Sequence, residues 1–373
     1  MSSSRIICTV TTDLIHDQRM QRICTTLAEA GYRVTLVGRA LPRSEPLVER
    51  PYAQHRIVCE SIAGKLFYLE YNWRLYRYLR QQSFDAVCAV DLDTLVAATH
   101  AAKACGAKIV YDAHEYFSET PEVVRRPWVQ RFWEHIAARY IPRCHAAYTV
   151  GEELAELFAH RYKKPFSVVR NTAVKRAVSI NPDFINRPQK VVFYQGALNE
   201  GRGLLELLEA AVRLPSIQVW LAGEGDLSRV LRERAKELKL GARVRFLGFV
   251  SPEELRELTP KAWLGYNLLE NIGLSYYYSL ANKTFDYYQA GVPALHPDFP
   301  EYRNLAKQYG GMVLLPRLSA AAIMAAIHSL GADPVRYEGL RAACLTARAE
   351  LVWETDAVRL RAIYADLFSS SSK

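Results

Sequence analysis

Residues 191–214 read VVFYQGALNEGRGLLELLEAAVRL: a β-branched and aromatic run, a polar loop with Gly196, Gly201 and Gly203, then apolar residues at helical spacing. A strand that enters a glycine-rich turn and continues straight into a helix opens a β-α-β unit. Glycines let backbone approach a ligand closely, and the first turn of a helix offers unpaired N–H groups with a partial positive charge. Arg202 adds a fork of donors suited to phosphate oxygens, so the segment reads as a phosphate cradle. An ordinary strand-to-helix turn carrying a surface arginine is the competing reading.

Downstream the pattern repeats. Strand QVWLAG precedes a helix over 227–238, strand VRFLGF a helix over 252–258, and strand AWLGYNLL the stretch YYYSLANKTFDYYQAGVP. In that stretch a helix is expected from about Leu280–Asn282 to a stop at Gly291 and Pro293. Upstream, IICTVTT, a helix over 17–30 and RVTLVGRA form a first β-α-β unit. A helix over 67–80, strand DAVCAVD, a helix closing at Gly106, strand KIVYDA, a helix through Arg143 and strand AAYTV follow. Such alternation predicts two doubly wound parallel-sheet lobes, each a Rossmann-like α/β layer structure, facing a cleft. The proline- and asparagine-rich stretch 171–188 is the expected boundary. The predicted division is 1–175 for the first lobe, 176–352 for the second and 353–373 for a terminal helix.

At 373 residues the chain is long enough for two cores, and with half of its residues apolar and 23% charged its composition is that of a globular protein. A formal charge of +9 favours an anionic partner. The charge is spread along the chain, and neither zinc-finger spacing nor a ribonucleoprotein aromatic motif is present, which argues against nucleic acid. No apolar run reaches the about 20 residues of a membrane span, and the start lacks the pattern of a signal peptide. A cytoplasmic protein is expected. The seven cysteines are odd in number and widely spaced, as buried free thiols are.

In parallel α/β sheets ligands meet the carboxyl ends of strands, so chemistry is expected at those ends. VWLAG ends in Gly223, Glu224, Gly225 and Asp226, a tight turn at the sheet edge. Lys283 stands in the first turn of its helix, where it opposes the helix dipole at a cost of about a few tenths of a kcal/mol unless an anion is also present. Asp286 follows one turn along the same face. Cation then carboxylate suits a diphosphate beside a ribose, and a solvated ion pair is the alternative. In the first lobe KIVYDA runs into Asp112, Ala113, His114 and Glu115. His114 can bond a sugar hydroxyl or exchange a proton near neutral pH, or serve as a structural hinge held by a carboxylate. Asp13, Asp17 and Arg19, in the first strand-to-helix turn, join Asp112 and Glu115 as acceptor-side candidates.

These residues resemble a known family. NKTFDYYQAGVP is similar to the NKLFEYMAAGVP segment of retaining glycosyltransferases of family four, and GALNEGRGLLELLEA to their G-R-L-x-x-x-K-G loop. VYDAHE, YTVGEEL, VVRN, VRFLGFVSPEEL and the terminal WETDAVRLRAIYADL echo further family segments in the same order, nearly to the ends of the chain. The resemblance implies a GT-B fold whose second lobe binds a nucleotide-diphosphate sugar, whose first lobe meets the acceptor, and whose last helix crosses back to the first lobe.

Carried over by position, Arg202 stands where the family has a phosphate-binding lysine, Lys283 is a second phosphate contact beside Asn282, and Asp286 replaces the ribose-binding glutamate. Gly248, Phe249 and Val250 would meet the base, and His114 the transferred sugar. Two departures stand out: Tyr278 occupies the place of the first of two family glutamates, and Ala197 replaces an expected arginine. The implied reaction retains anomeric configuration and uses no metal or other cofactor, with Arg202, Lys283 and helix amino termini stabilising the departing diphosphate.

The segment PEVVRRPWVQRFWEHIAARYIPR (121–143) mixes arginines with aromatics at helical spacing. It suits peripheral contact with an anionic membrane and a glycan or lipid-linked acceptor, unless its aromatics simply pack on the sheet. Rival readings are a catalytically silent GT-B partner subunit, supported by Tyr278 and Ala197, and a sugar-nucleotide epimerase or hydrolase using the same cradle. A dinucleotide-dependent oxidoreductase is disfavoured, since neither lobe has a close glycine triplet opening its first helix with an acidic residue following at the right distance.

Overall fold

The computed structural model describes residues 3–15, 17–175 and 189–369. The chain forms two compact units, 1–171 with 355–373, and 172–354. Most of the proline-rich stretch expected to join them, 176–188, lies outside the described residues.

Seven strands build the sheet of the first unit: β1 (Arg5–Thr9), β2 (Arg33–Arg39), β3 (Ala53–Ile57), β4 (Ala86–Val90), β5 (Lys108–Ala113), β6 (Ala146–Thr149) and β7 (Ser167–Val168). They pair in parallel in the order β3-β2-β1-β4-β5-β6-β7. β4 is buried along its whole length, which is why DAVCAV reads as a continuous apolar run rather than an alternating one. The chain winds outward from β1 in one direction and from β4 in the other, so the strand order reverses between them. Ligand crevices of such sheets open at that reversal. The last helix, Trp353–Ser369, contributes Tyr364 and Phe368 to a ring cluster with Tyr32 in this unit.

The second unit repeats the plan with β8 (Lys190–Gln195), β9 (Ile217–Ala222), β10 (Val244–Gly248), β11 (Leu264–Tyr266), β12 (Ala294–Pro297) and β13 (Met312–Leu315), all parallel, in the order β10-β9-β8-β11-β12-β13. Residues alternate faces along β8. Val192 and Tyr194 enter a core with Leu207, Leu221 and Ile323, while Val191 and Phe193 pack with Trp220, Tyr287 and Val292 on the other side. The sheet is therefore buried on both faces, and the reversal lies between β8 and β11.

The periodicity located nine of the thirteen strands and passed over both edges of the first sheet and β12 and β13 of the second, of which β12 is interior. β3, β7, β12 and β13 and the helices Pro300–Tyr309, Ala320–Ala332 and Pro334–Ala347 carry no strong sequence signal and were not anticipated individually. The long expected strand 262–269 shortens to Leu264–Tyr266, and the expected helix through Arg143 divides into Pro121–Val124, Pro127–Tyr140 and a 3₁₀ turn at Ile141–Arg143. Pro127 and Pro142, each lacking an N–H, mark the two divisions. No described helix is long and apolar enough to cross a membrane.

Candidate functional site

In the second unit the carboxyl ends of β8, β9 and β10 are stacked backbone on backbone. Gly196 N–H donates to Ala222 O at 2.9 Å, Gly223 N–H to Gly248 O at 2.7 Å, and Leu198 N–H to Glu224 O at 3.2 Å. A Cβ on Gly223 would lie 2.0 Å from Gly196 O, and one on Gly225 2.3 Å from Asn199 Oδ1. Only hydrogen fits at either position, and Gly223 also holds φ at +139°. Gly201 and Gly203 carry the loop to the helix Leu204–Val212, with Gly203 in the left-handed region as its N-cap. The Tyr266 hydroxyl donates to Gly203 O and ties this helix start to β11.

Two cations converge here. Lys283, in the first turn of the helix Asn282–Ala290, is only 9% exposed, and its Nζ lies 3.9 Å from the centroid of the Tyr194 ring. A Cβ on Gly196 would meet that Nζ at 3.4 Å, so the ammonium abuts the glycine turn. Arg202 lies with its guanidinium carbon 4.9 Å from the Tyr276 ring centroid, and its Nε is buried without a hydrogen-bond partner. Among the described residues neither cation has a hydrogen-bond acceptor or a close ion-pair partner. Burial first, and then the nearby Arg202, push the Lys283 pKa well below the ordinary lysine value, against a weaker pull from Asp286. A buried cation facing a second cation is costly unless an anion joins them.

Asp286 accepts from Gln195 Nε2 at 2.6 Å, and Gln195 Oε1 accepts from the Thr259 hydroxyl at 2.8 Å. Sequence reading missed Gln195, although a polar residue closing the apolar strand VVFYQ was a readable signal. Behind Lys283, Thr284 bonds His296 Nε2 at 3.1 Å, and Asn267 Nδ2 donates to Tyr302 Oη at 3.0 Å. Burial lowers His296 to about 3, so it remains a neutral support. Asn282 is exposed at the helix start, and Tyr278 closes the preceding short helix, its ring perpendicular to that of Tyr277 with the centroids 5.1 Å apart. Phe249 is 79% exposed beside Gly248, whereas Val250 packs against the sheet. Glu224 is engaged by Arg232 at 2.6 Å.

The candidates of the first unit fall into two groups. Arg19 is buried, pairs with Asp112 at 2.8 Å and donates to Val169 O at 3.0 Å. Asp13 is buried and pairs with Arg56 at 2.6 Å, while Asp17 caps the first helix by accepting from Met20 N–H at 3.0 Å. These contacts organise the fold around the first turn. His114 is different: its side chain is 24% exposed, with Nε2 3.3 Å from Asp112 and Nδ1 3.8 Å from Asp91.

Asp91, the first residue after β4, takes a left-handed φ of 54° that is uncommon outside glycine, and it accepts from His114 N–H at 2.9 Å. Burial works against the imidazolium, but Asp112 and Asp91 outweigh it and raise His114 to about 9. Asp112, despite burial, is held down to about 2 by Arg19 and His114, whereas burial pushes Asp91 up to about 8 and Asp93 to about 6. Asp93 also accepts from the Thr11 hydroxyl at 2.5 Å. Thr11, Asp91 and Asp93 thus mark the strand-order reversal of this unit. Sequence reasoning missed Asp91 and Asp93, although they follow the carboxyl end of β4 just as His114 follows that of β5. Glu115 is exposed and adds negative potential to Asp91 and Asp93. Among the described residues no three His, Cys, Asp or Glu side chains converge as a metal site.

Comparison with known proteins fits this architecture. Residues 18–172 match the family described as Glycosyltransferase Family 4, and residues 176–344 that described as Glycosyl transferases group 1. A lipopolysaccharide core biosynthesis glycosyltransferase, LpsE of Rhizobium meliloti, is 33% identical over 103 residues, a stretch that spans 27% of this chain and 29% of the relative. Sucrose-phosphate synthase of Thermosynechococcus elongatus has the same fold at a TM-score of 0.82 with 17% identity, covering 99% of this chain and all of that one. HepE of Anabaena, solved in complex with UDP-glucose, superposes at 0.77 with 15% identity over 98% of this chain and all of that one. With two parallel-sheet Rossmann-like units and these matches over most of its length, the chain belongs to the family-four glycosyltransferases of the GT-B fold.

Proposed function

We propose that the protein transfers a sugar from a nucleotide-diphosphate donor to a glycan or lipid-linked acceptor, with retention of anomeric configuration and without a metal ion. The observation that carries this reading is the convergence of Arg202 and Lys283 on the glycine turns with no anion of their own. A diphosphate supplies the missing negative charge. Arg202, Lys283 and the amino terminus of the helix at Leu204 are then placed to stabilise the leaving group as charge develops on it, the role a metal ion has in other phosphate chemistry. Asp286, oriented by Gln195, accepts from ribose hydroxyls, and exposed Phe249 lies where the base is assigned by family position.

In the first unit His114, held as an imidazolium, is a fixed donor to a hydroxyl of the transferred sugar. A histidine that is already protonated at neutral pH is a poor base, which fits front-face attack in which the leaving phosphate oxygen takes the acceptor's proton.

Binding of UDP-glucose by HepE and the lipopolysaccharide assignment of LpsE support a nucleotide-sugar donor and a cell-surface acceptor. Peripheral attachment to the cytoplasmic membrane face is part of the same reading. On the helix Pro127–Tyr140, Trp133 turns into the core while Trp128, Arg131, Phe132 and Arg139 are exposed, with Arg131 stacked on Trp128 at 5.2 Å.

The deciding test is thermal unfolding of the purified protein with UDP-, GDP- and ADP-sugars, with and without EDTA. A rise in melting temperature with one nucleotide class that persists in EDTA is expected, because a ligand that binds only the folded state stabilises it. No shift with any donor overturns the proposal.

A further inference from the structure

Among the described residues three that are not glycine hold a left-handed backbone: Asp91, Lys163 and Lys239. Lys163 is the C-cap of the helix Glu152–Tyr162, and Lys239 lies just past the helix Ser228–Glu237. A helix end is where a left-handed residue belongs. Asp91, with φ of 54°, opens a helix instead, Asp91–Cys105. Nothing in a helix start calls for that conformation, and glycine would adopt it without cost. An aspartate held there against its own backbone preference points to a use for its side chain.

That use is not the capping of its own helix. A carboxylate at a helix start serves best by accepting from the first N–H groups, yet this helix has no side-chain cap. Oδ1 of Asp91 instead accepts from the main-chain N–H of His114 at 2.9 Å. Strand register explains the need. Val90 pairs with Asp112 at the last step of the β4–β5 ladder, so His114, two residues further, has run past the end of β4. Its N–H meets no ladder carbonyl, and Asp91 supplies the acceptor. Asp93, by contrast, is engaged by the Thr11 hydroxyl.

The imidazole is set by the same two strand ends. Nε2 of His114 is buried 3.3 Å from Asp112, whose other oxygen is taken by Arg19 at 2.8 Å. Nδ1 lies 3.8 Å from Asp91 Oδ2, near enough for charge to act and too far for a hydrogen bond. Nδ1–H is therefore the donor that this arrangement leaves open. Burial and Arg19, on the helix Gln18–Glu29, oppose the imidazolium, while Asp112 and Asp91 favour it. Asp93 and Glu115 add their negative charge on the side of Asp91.

We infer that Asp91 is a positioning residue: its carboxyl group fixes the main chain of His114 and leaves the Nδ1–H of that histidine as the free donor to the substrate. The inference rests on the sugar contact proposed above for His114 and assigns the atom that makes it. Because a carboxyl oxygen accepts a hydrogen bond whether or not the group is ionised, the main-chain tether does not depend on the charge of Asp91.

The test compares Asp91→Gly with Asp91→Asn in the full-length protein. Glycine keeps the left-handed turn without strain and removes the acceptor, whereas asparagine keeps an amide oxygen at the same place and removes the charge. Turnover is read as nucleoside diphosphate released from UDP-, GDP- or ADP-glucose, with water as the acceptor. In Asp91→Gly, hydrogen exchange of the His114 amide accelerates at least about 10-fold. Its kcat falls at least about 10-fold, with donor KM within about 3-fold of the parent, because the donor atom is misplaced rather than lost. Asp91→Asn rescues exchange and kcat to within about 3-fold of the parent. In that variant the His114 titration midpoint drops by about half a pH unit or more, since one of its two carboxylates is neutral.

Parental exchange at the His114 amide in Asp91→Gly overturns the inference, as does a kcat within about 3-fold of the parent in that variant. Loss of kcat in Asp91→Asn equal to that in Asp91→Gly also overturns it, since the tether would then not be what matters. An unchanged His114 midpoint in Asp91→Asn removes Asp91 from beside Nδ1. A parent protein that neither releases diphosphate nor gains melting temperature with any of the three donors sinks the proposed function. Exchange and titration need no donor, and they decide by themselves whether Asp91 holds His114.

Discussion

The Lys283 ammonium rests 3.9 Å from the centroid of the Tyr194 ring, enclosed by a glycine turn and faced by a second cation, Arg202. The aromatic face repays part of its desolvation, and Asp286 adds an opposing pull, but neither is a bonded anion. The free protein therefore keeps a local electrostatic cost where its ligand is proposed to bind.

Lys283→Met removes that cost. The variant is expected to melt about 2 °C or more above the parent, because replacing an unpaired buried charge by an apolar chain of similar length is neutral or stabilising. It should also lose the donor-induced shift. A lower melting temperature with donor binding intact would show that the ammonium has a structural partner instead.

Arg202→Ala leaves Lys283 in place and removes one donor from the proposed leaving group. Steady-state turnover should fall on the order of 10²-fold or more, with a smaller change in KM, since the interaction strengthens as charge develops. Turnover near that of the parent protein removes Arg202 from the chemistry.

Asp286→Ala orphans the Gln195 amide as well as the proposed ribose contact. The expected signature is a rise in donor KM of about 10-fold, equivalent to about 1.4 kcal/mol, with kcat less affected. Full kinetics on a single donor distinguish this from the Arg202 pattern.

His114 should titrate near pH 9 rather than near its ordinary value, as followed by its ring-proton and nitrogen resonances. Its folded pKa is raised, so the ion pair with Asp112 contributes stability fully below about pH 6.5 and loses it as pH rises through about 9. In Asp112→Asn the midpoint should drop towards or below neutrality. An unchanged midpoint would show that Asp112 is not the group holding the charge.

Gly223→Ala would place a Cβ 2.0 Å from Gly196 O at a φ of +139°. Since the obstacle is backbone rather than a flexible side chain, the loss should be about 3 kcal/mol or more in urea unfolding, or the variant should not accumulate as folded protein. A loss below about 1 kcal/mol would mean that the β8 and β9 turns can separate.

Much of this protein was readable from local pattern. The alternation of short apolar runs with helical periods determined two parallel α/β units, because burial on both faces leaves each strand little choice but continuous apolar residues. Glycines at 196, 201, 203, 223 and 225 marked the turns, and the spacing of Lys283 and Asp286 placed them one helical turn apart. Edge strands such as β3 and β7 were not legible, since partly exposed strands carry polar residues like those of loops.

What only the tertiary structure decided is which charges meet. Arg19 and Asp112 read as acceptor-side candidates, yet the order β1-β4-β5 brings them together as a buried pair, while the same order sets Asp91 against His114. Arg202 and Lys283 become neighbours because β8 and β11 are adjacent across the strand-order reversal. Hydrophobic periodicity is a local property of the chain and survives in any window of sequence. The pairing of buried charges depends on strand order, and that is set by packing across the whole sheet.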